Sequence, residues 1–199
     1  MRCLLATRLL AVLLAASAAG QGGPVAADGG DSITHEDARN DVRIATGEPG
    51  LGRDSRHSVD LTRLTVVPGA EGSTYALRLR RVTTAERFDQ YFFLYVETAG
   101  DGLPFGFLML KASDLRGEMV VEGTDDPEGY VSCRVRATVA DRRHSLIFTV
   151  PSRCTPAGPV TIEMLAYTTP RGRKGGEVVW SRDRVRIPGL VDLHGGAAG

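Results

Sequence analysis

The chain has 199 residues, and its 24 Lys and Arg balance its 24 Asp and Glu. That neutral balance argues against nucleic acid as a partner, because phosphate backbones are held by basic surfaces. The length suits one domain with a real core, and the bias to Arg (Lys111 and Lys174 are the only lysines) reads as the codon preference of a GC-rich genome.

Residues 1–19 have the form of a secretory signal peptide. Arg2 and Arg8 precede the apolar run Leu9 to Ala16, and Ala16-Ser17-Ala18 supplies the small residues of a cleavage site. Cleavage is expected after Ala18 or Ala19, or as late as Ala27. The run is too short to span a bilayer, and no second one is long enough to anchor the chain. The expected location is therefore secreted, with no membrane anchor after cleavage. Residues 20–32, rich in Gly, read as a flexible linker. Residues 33–188 form the predicted domain. Residues 189–199 form a C-terminal tail whose Leu190 and Leu193 are candidates to dock on it.

Within the domain, no segment carries the apolar period of a long helix, and period-2 alternation dominates. Strands are expected from Leu61 to Val67 and from Tyr75, joined by the turn Pro68 to Gly72. Tyr91 to Val96 and Phe105 to Leu110 are apolar in both phases, which suits central strands whose outer face is also covered. Val131, Cys133, Val135, Ala137 and Val139 share one face of a further strand, which turns at Ala140 to Arg143 into Leu146, Phe148 and Val150. Val160, Ile162, Met164 and Ala166 alternate with polar positions, and Arg171 to Gly176 reads as an exposed basic hairpin tip. About nine or ten strands and no convincing helix predict an all-β single β-sandwich, jelly-roll or immunoglobulin-like.

After processing, Cys133 and Cys154 remain. Two cysteines in a small exported domain usually pair, so a disulfide is expected between them.

The segments Asp37-Ala38-Arg39-Asn40-Asp41-Val42, Asp60 to Val66, and the hairpin from Cys133 through Asp141 to Cys154 resemble a loose group of secreted β-sandwich proteins from high-GC Gram-positive bacteria. The resemblance covers most of residues 33–187. It implies the fold and an extracellular location, and it carries over no catalytic residues.

Four groups of residues bear on chemistry. Asp37 and Asp41, four apart, share a face if they lie on a strand, and Asp60 opens the next strand. These three are the candidate ligands of a structural calcium ion, which takes six to eight oxygens; solvated turn carboxylates that cap backbone N–H groups are the competing reading. No other cofactor is expected. His35, His57, His144 and His194 form no zinc-binding spacing. No nucleophile elbow is present, so no catalytic residue is assigned. Among the aromatics, most are expected in the core, and Tyr167 and Trp180 are the candidate stacking platforms for a ligand. The functional expectation is a secreted, non-catalytic binding or interaction module for an extracellular protein or glycan. A carbohydrate-binding module for cell-wall or extracellular glycan is the alternative, and a cryptic hydrolase a third.

Overall fold

The structure is a computed structural model that describes residues 31–44, 53–100, 104–123, 129–171 and 180–194. The predicted signal peptide, the linker up to residue 30, and the basic tip from 172 to 176 lie outside the described residues. No described helix is long and apolar enough to cross a membrane.

The elements run β1 (Ile33–Glu36), β2 (Arg43–Ile44), α1 (Arg53–Val59), β3 (Leu61–Val67), β4 (Gly72–Leu79), β5 (Phe88–Thr98), β6 (Phe105–Lys111), β7 (Arg116–Glu122), β8 (Tyr130–Ala140), β9 (Ser145–Pro151), β10 (Pro159–Pro170), β11 (Ser181–Arg186) and β12 (Val191–Asp192). The chain is all-β, as expected, but the described strands number twelve rather than nine or ten. The extra ones are short: β2 and β12 have two residues each, and β1 has four. Such pieces are too brief for an alternating pattern to mark them. The helix α1 is a second correction. Its sequence, RDSRHSV, has Val59 as its sole apolar residue, so no 3.6-residue period exists to find. Asp54 in its first turn and Arg56 and His57 in its last match the helix dipole.

All the described strands belong to one antiparallel sheet, in the order β1-β3-β4-β9-β8-β7-β6-β5-β10-β11-β2, with β12 added to β10. The sheet curls on itself about β8, which serves two neighbours. Tyr130 to Arg136 pair with β7, and Ala137 to Ala140 pair with β9. At the changeover the Ala137 N–H donates to the Leu115 carbonyl at 2.8 Å. Gly117 lies beside this point because a Cβ there would overlap the Met109 carbonyl oxygen.

The curl encloses the core. Leu64, Val66, Tyr75, Leu77, Leu146 and Phe148 face in from one half; Phe92, Leu94, Leu108, Met119, Ile162 and Met164 face in from the other. Tyr75 stacks on Phe148 with ring centroids 5.2 Å apart. The expected disulfide is present between Cys133 and Cys154, with Cα atoms 6.0 Å apart and a sequence separation of 21. Both cysteines are buried in the core. Closing a loop of that size stabilises by about 3 kcal/mol in the chain-entropy account. Part of the predicted tail is also structured. Leu193 is buried and its carbonyl accepts the Ser73 hydroxyl at 2.8 Å, whereas Leu190 is 55% exposed.

Two sites carry removable cost. The Tyr75 hydroxyl is buried without a hydrogen-bond partner, and burial pushes its pKa up. Tyr75→Phe should therefore stabilise the protein by about 1 kcal/mol, read as a rise in the urea midpoint. Between β8 and β9, Asp141, Arg142 and Arg143 all have left-handed backbones, with φ of 49°, 52° and 76°. Arg142 is exposed, so Arg142→Gly should remove a steric cost of about 1 kcal/mol and raise the melting temperature by about 2–4 °C.

Candidate functional site

Three places gather chemistry-bearing side chains. The first is the acidic corner at the N-terminal end of the domain. After β1, the Asp37 N–H donates to the Thr62 carbonyl at 3.0 Å, and the chain turns through Asn40, whose φ is 66°. Asp37 and Asp41 therefore lie on a turn rather than on one face of a strand. Their carboxylate oxygens and one of Asp183 all lie within 4.8 Å of one another. Asp60, the third residue expected there, has another task. It is 3% exposed, accepts the Asn40 N–H at 2.8 Å and lies 3.8 Å from the Arg80 guanidinium, which also donates to the Asn40 side chain. Asp60 thus holds the shape of the turn that carries Asp37 and Asp41.

Asp183 is the residue that sequence reasoning missed. It sits on β11 between Ser181 and Val185 in the inward phase, while Arg182, Arg184 and Arg186 point outward. That alternation was a usable signal: an Asp in the apolar phase of a strand needs partners. Its Oδ2 accepts the Leu61 N–H at 2.8 Å and its Oδ1 accepts the Arg184 N–H at 2.9 Å. Burial pushes the carboxyl up to about 7, against the pull of the Leu61 N–H, and Asp41 and Asp37 add to the rise. Asp37 is also raised, chiefly by burial, and its Oδ2 is enclosed without a partner. Three carboxylates so placed would supply part of the six to eight oxygens that a calcium ion takes, the rest being carbonyls and water, and without a cation their burial and mutual repulsion favour a proton on Asp183.

The second place is the outer face of β10, β5 and β6. Tyr167, Tyr91 and Lys111 lie in register across these strands, as do Leu165, Phe93 and Met109, and then Glu163, Tyr95 and Phe107. All stand in the phase opposite to the core residues Phe92, Leu94, Leu108 and Met164. Tyr167 is 8% exposed. Its ring stacks on Tyr91 at 5.2 Å, and its hydroxyl reaches the Met109 sulfur at 3.6 Å. Lys111 caps this end: its Nζ lies 5.5 Å from the centre of the Tyr91 ring and 2.8 Å from Asp89, whose hydrogen bond raises the lysine pKa. Further along, the rings are half-buried, and their planes range from near-parallel to tilted. Phe93 and Phe107 stand 6.1 Å apart at 11°, Phe105 and Phe107 6.3 Å at 27°, and Tyr95 and Phe105 5.7 Å at 33°. Met109 beside them is 47% exposed. The apolar second phase was legible in the sequence, and it was expected to be covered. Instead these four rings remain partly open to solvent.

The third place is a cavity of about 510 Å³ between α1, the connection from β4 to β5, and Trp180. The Trp180 N–H donates to the Thr168 carbonyl at 2.8 Å, which fixes the residue beside the end of β10. Its indole N–H is buried and has no hydrogen-bond partner. Tyr167 and Trp180, expected together as platforms, thus belong to different surfaces.

Comparison with protein-family models, with curated proteins and with solved structures gives no match.

The acidic corner sets a pH dependence. Between the ordinary aspartate value of 3.8 and the native value of about 7, the unfolded chain releases the Asp183 proton and the native chain keeps it. Stability from this group is therefore full below the lower value and lost as pH rises through the upper one. In EDTA, the melting temperature should fall as pH is raised from about 4.5 to about 8, and Asp183→Asn should flatten that slope.

Proposed function

We propose that the protein is an exported, non-catalytic β-sandwich binding module that takes its partner on the aromatic outer face of β10, β5 and β6. In this reading the two halves of the curled sheet are the two layers of the sandwich. Export is supported by the basic, apolar and small-residue order of residues 1–19 and by the Cys133–Cys154 bridge, which suits an oxidising compartment.

One observation carries the binding reading: Phe93, Tyr95, Phe105 and Phe107 form a row of half-buried rings on a sheet face. A soluble chain has little reason to leave contiguous rings open unless something covers them. Contiguous, partly open aromatic rings suit the apolar faces of sugars. Glu97, Glu122 and Glu163 lie in register beside them and offer acceptors to sugar hydroxyls. Glycan is therefore the favoured partner. A protein partner is the second reading, favoured by Met109, an adaptable apolar side chain exposed at the end of the row.

The protein should be retained on at least one insoluble cell-wall or extracellular polysaccharide. The double substitution Tyr95→Ala and Phe107→Ala should weaken that retention by about tenfold, at about 0.5–1.5 kcal/mol per ring. The disulfide and the melting transition should be preserved. A wild-type protein that washes through every polysaccharide would remove the glycan reading. Retention that survives loss of both rings would move the surface elsewhere.

A further inference from the structure

We propose that the arginine-lined cavity between the Asn40 turn, the end of β4 and the start of β9 is a second binding site, independent of the aromatic face, for a small dianionic oxyanion: a phosphate, free or as a monoester.

The cavity has a volume of about 340 Å³, at the small end of the range usual for ligand sites. Arg39, Arg78, Arg80 and His144 line it. The fold delivers each from a different place. Arg39 precedes Asn40 on the left-handed turn. Arg78 stands in the exposed phase of β4, opposite Ser145 of β9. Arg80 follows β4, and its backbone N–H donates to the Asp60 carbonyl at 3.0 Å. The His144 carbonyl accepts the Leu79 N–H at 3.0 Å, which holds the histidine at the same end of the sheet.

Charge decides the ligand class. Among the described residues Asp60 is the one carboxylate that lines the cavity, and it is buried and committed to the Asn40 N–H and to Arg80. Setting that pair aside leaves Arg39 and Arg78. Both are exposed, and neither guanidinium has a hydrogen bond or ion pair among the described residues. Their two positive charges therefore stand with no lining carboxylate to cancel them. The neighbouring acids are engaged elsewhere. Asp37 and Asp41 flank Arg39 in the chain but gather with Asp183. Asp141 accepts the Ser145 hydroxyl at 2.8 Å. Glu36 pairs with Arg63, the residue opposite Arg78 on β3.

The remaining lining narrows the class. The Asn40 side-chain oxygen is taken by Arg80, which leaves its NH2 to donate. Leu79 is the one apolar lining residue among those described, and it is 2% exposed. The walls thus offer donors and charge but little for an apolar body to rest on. A single carboxylate would leave one guanidinium uncompensated. A phosphate dianion neutralises both and presents several oxygens to their planar forks.

The test is isothermal titration calorimetry of the disulfide-intact protein at about pH 7.5, above the second pKa of a phosphate monoester. EDTA is present, so that no cation at the acidic corner can hold the phosphate. Inorganic phosphate, glycerol phosphate and acetate are titrated separately at constant ionic strength. Saturable binding of at least one phosphate, about tenfold or more tighter than any binding of acetate, is expected. Tighter binding of inorganic phosphate assigns the free ion, and tighter binding of glycerol phosphate assigns an ester. Arg39→Gln combined with Arg78→Gln should weaken binding by about tenfold or more without moving the melting temperature of the unliganded protein. Arg184→Gln combined with Arg186→Gln removes the same charge from exposed positions outside the cavity and should bind as the wild type does. So should the Tyr95→Ala, Phe107→Ala variant, which separates this site from the aromatic face. No saturable binding of either phosphate, acetate binding as tightly, binding untouched by loss of Arg39 and Arg78, or an equal loss in the Arg184, Arg186 variant would each overturn the proposal.

Discussion

A folded-over sheet needs something to hold its two halves in one register, and here a side chain supplies it. Asp183 on β11 reaches the Leu61 N–H at the start of β3, so strands far apart in the sheet order meet through a carboxylate instead of a backbone ladder. The same carboxylate oxygens face Asp37 and Asp41. The closure therefore buries the Asp183 carboxylate beside two others, and its pKa rises first from burial and then from their charge. Asp60 completes the corner by holding the Asn40 turn against Arg80. Closing the fold and shaping the acidic corner are one event.

On the opposite side, closure is covalent and backbone-made. β8 passes from β7 to β9 within one strand. Its Cys133 is bonded to Cys154, which lies just past β9. The bridge ties the pivot strand to the segment leaving its partner, so the fold line is cross-linked. Tyr75 and Phe148 stack close to this region and fill the space between the halves.

Both candidate binding surfaces depend on these closures. The aromatic row needs β10, β5 and β6 to lie side by side, with apolar residues in both phases. The inner phase builds the core and the outer phase remains for a partner. The arginine-lined cavity needs the Asn40 turn to sit beside the end of β4, where Asp60 holds it. The acidic corner thus positions one wall of the cavity.

By itself the sequence determined the strand character of most of the domain, since alternation at Val131 to Val139 or at Val160 to Ala166 depends only on which face meets water. It also pointed to the pairing of Cys133 with Cys154, because setting Cys3 aside with the expected signal peptide leaves two cysteines. The double apolar phase at Tyr91 to Val96 was visible as well. Only the tertiary structure decided that the outer rings stay partly open, that Tyr167 packs on Tyr91, and that Trp180 belongs to a cavity with Arg81 and Arg87. It alone exchanged Asp60 for Asp183 in the acidic cluster. The physical reason is common to all of these. Alternation is local and repeats every second residue, whereas a curled sheet joins residues far apart in sequence, and no short-range pattern encodes which distant strand arrives opposite.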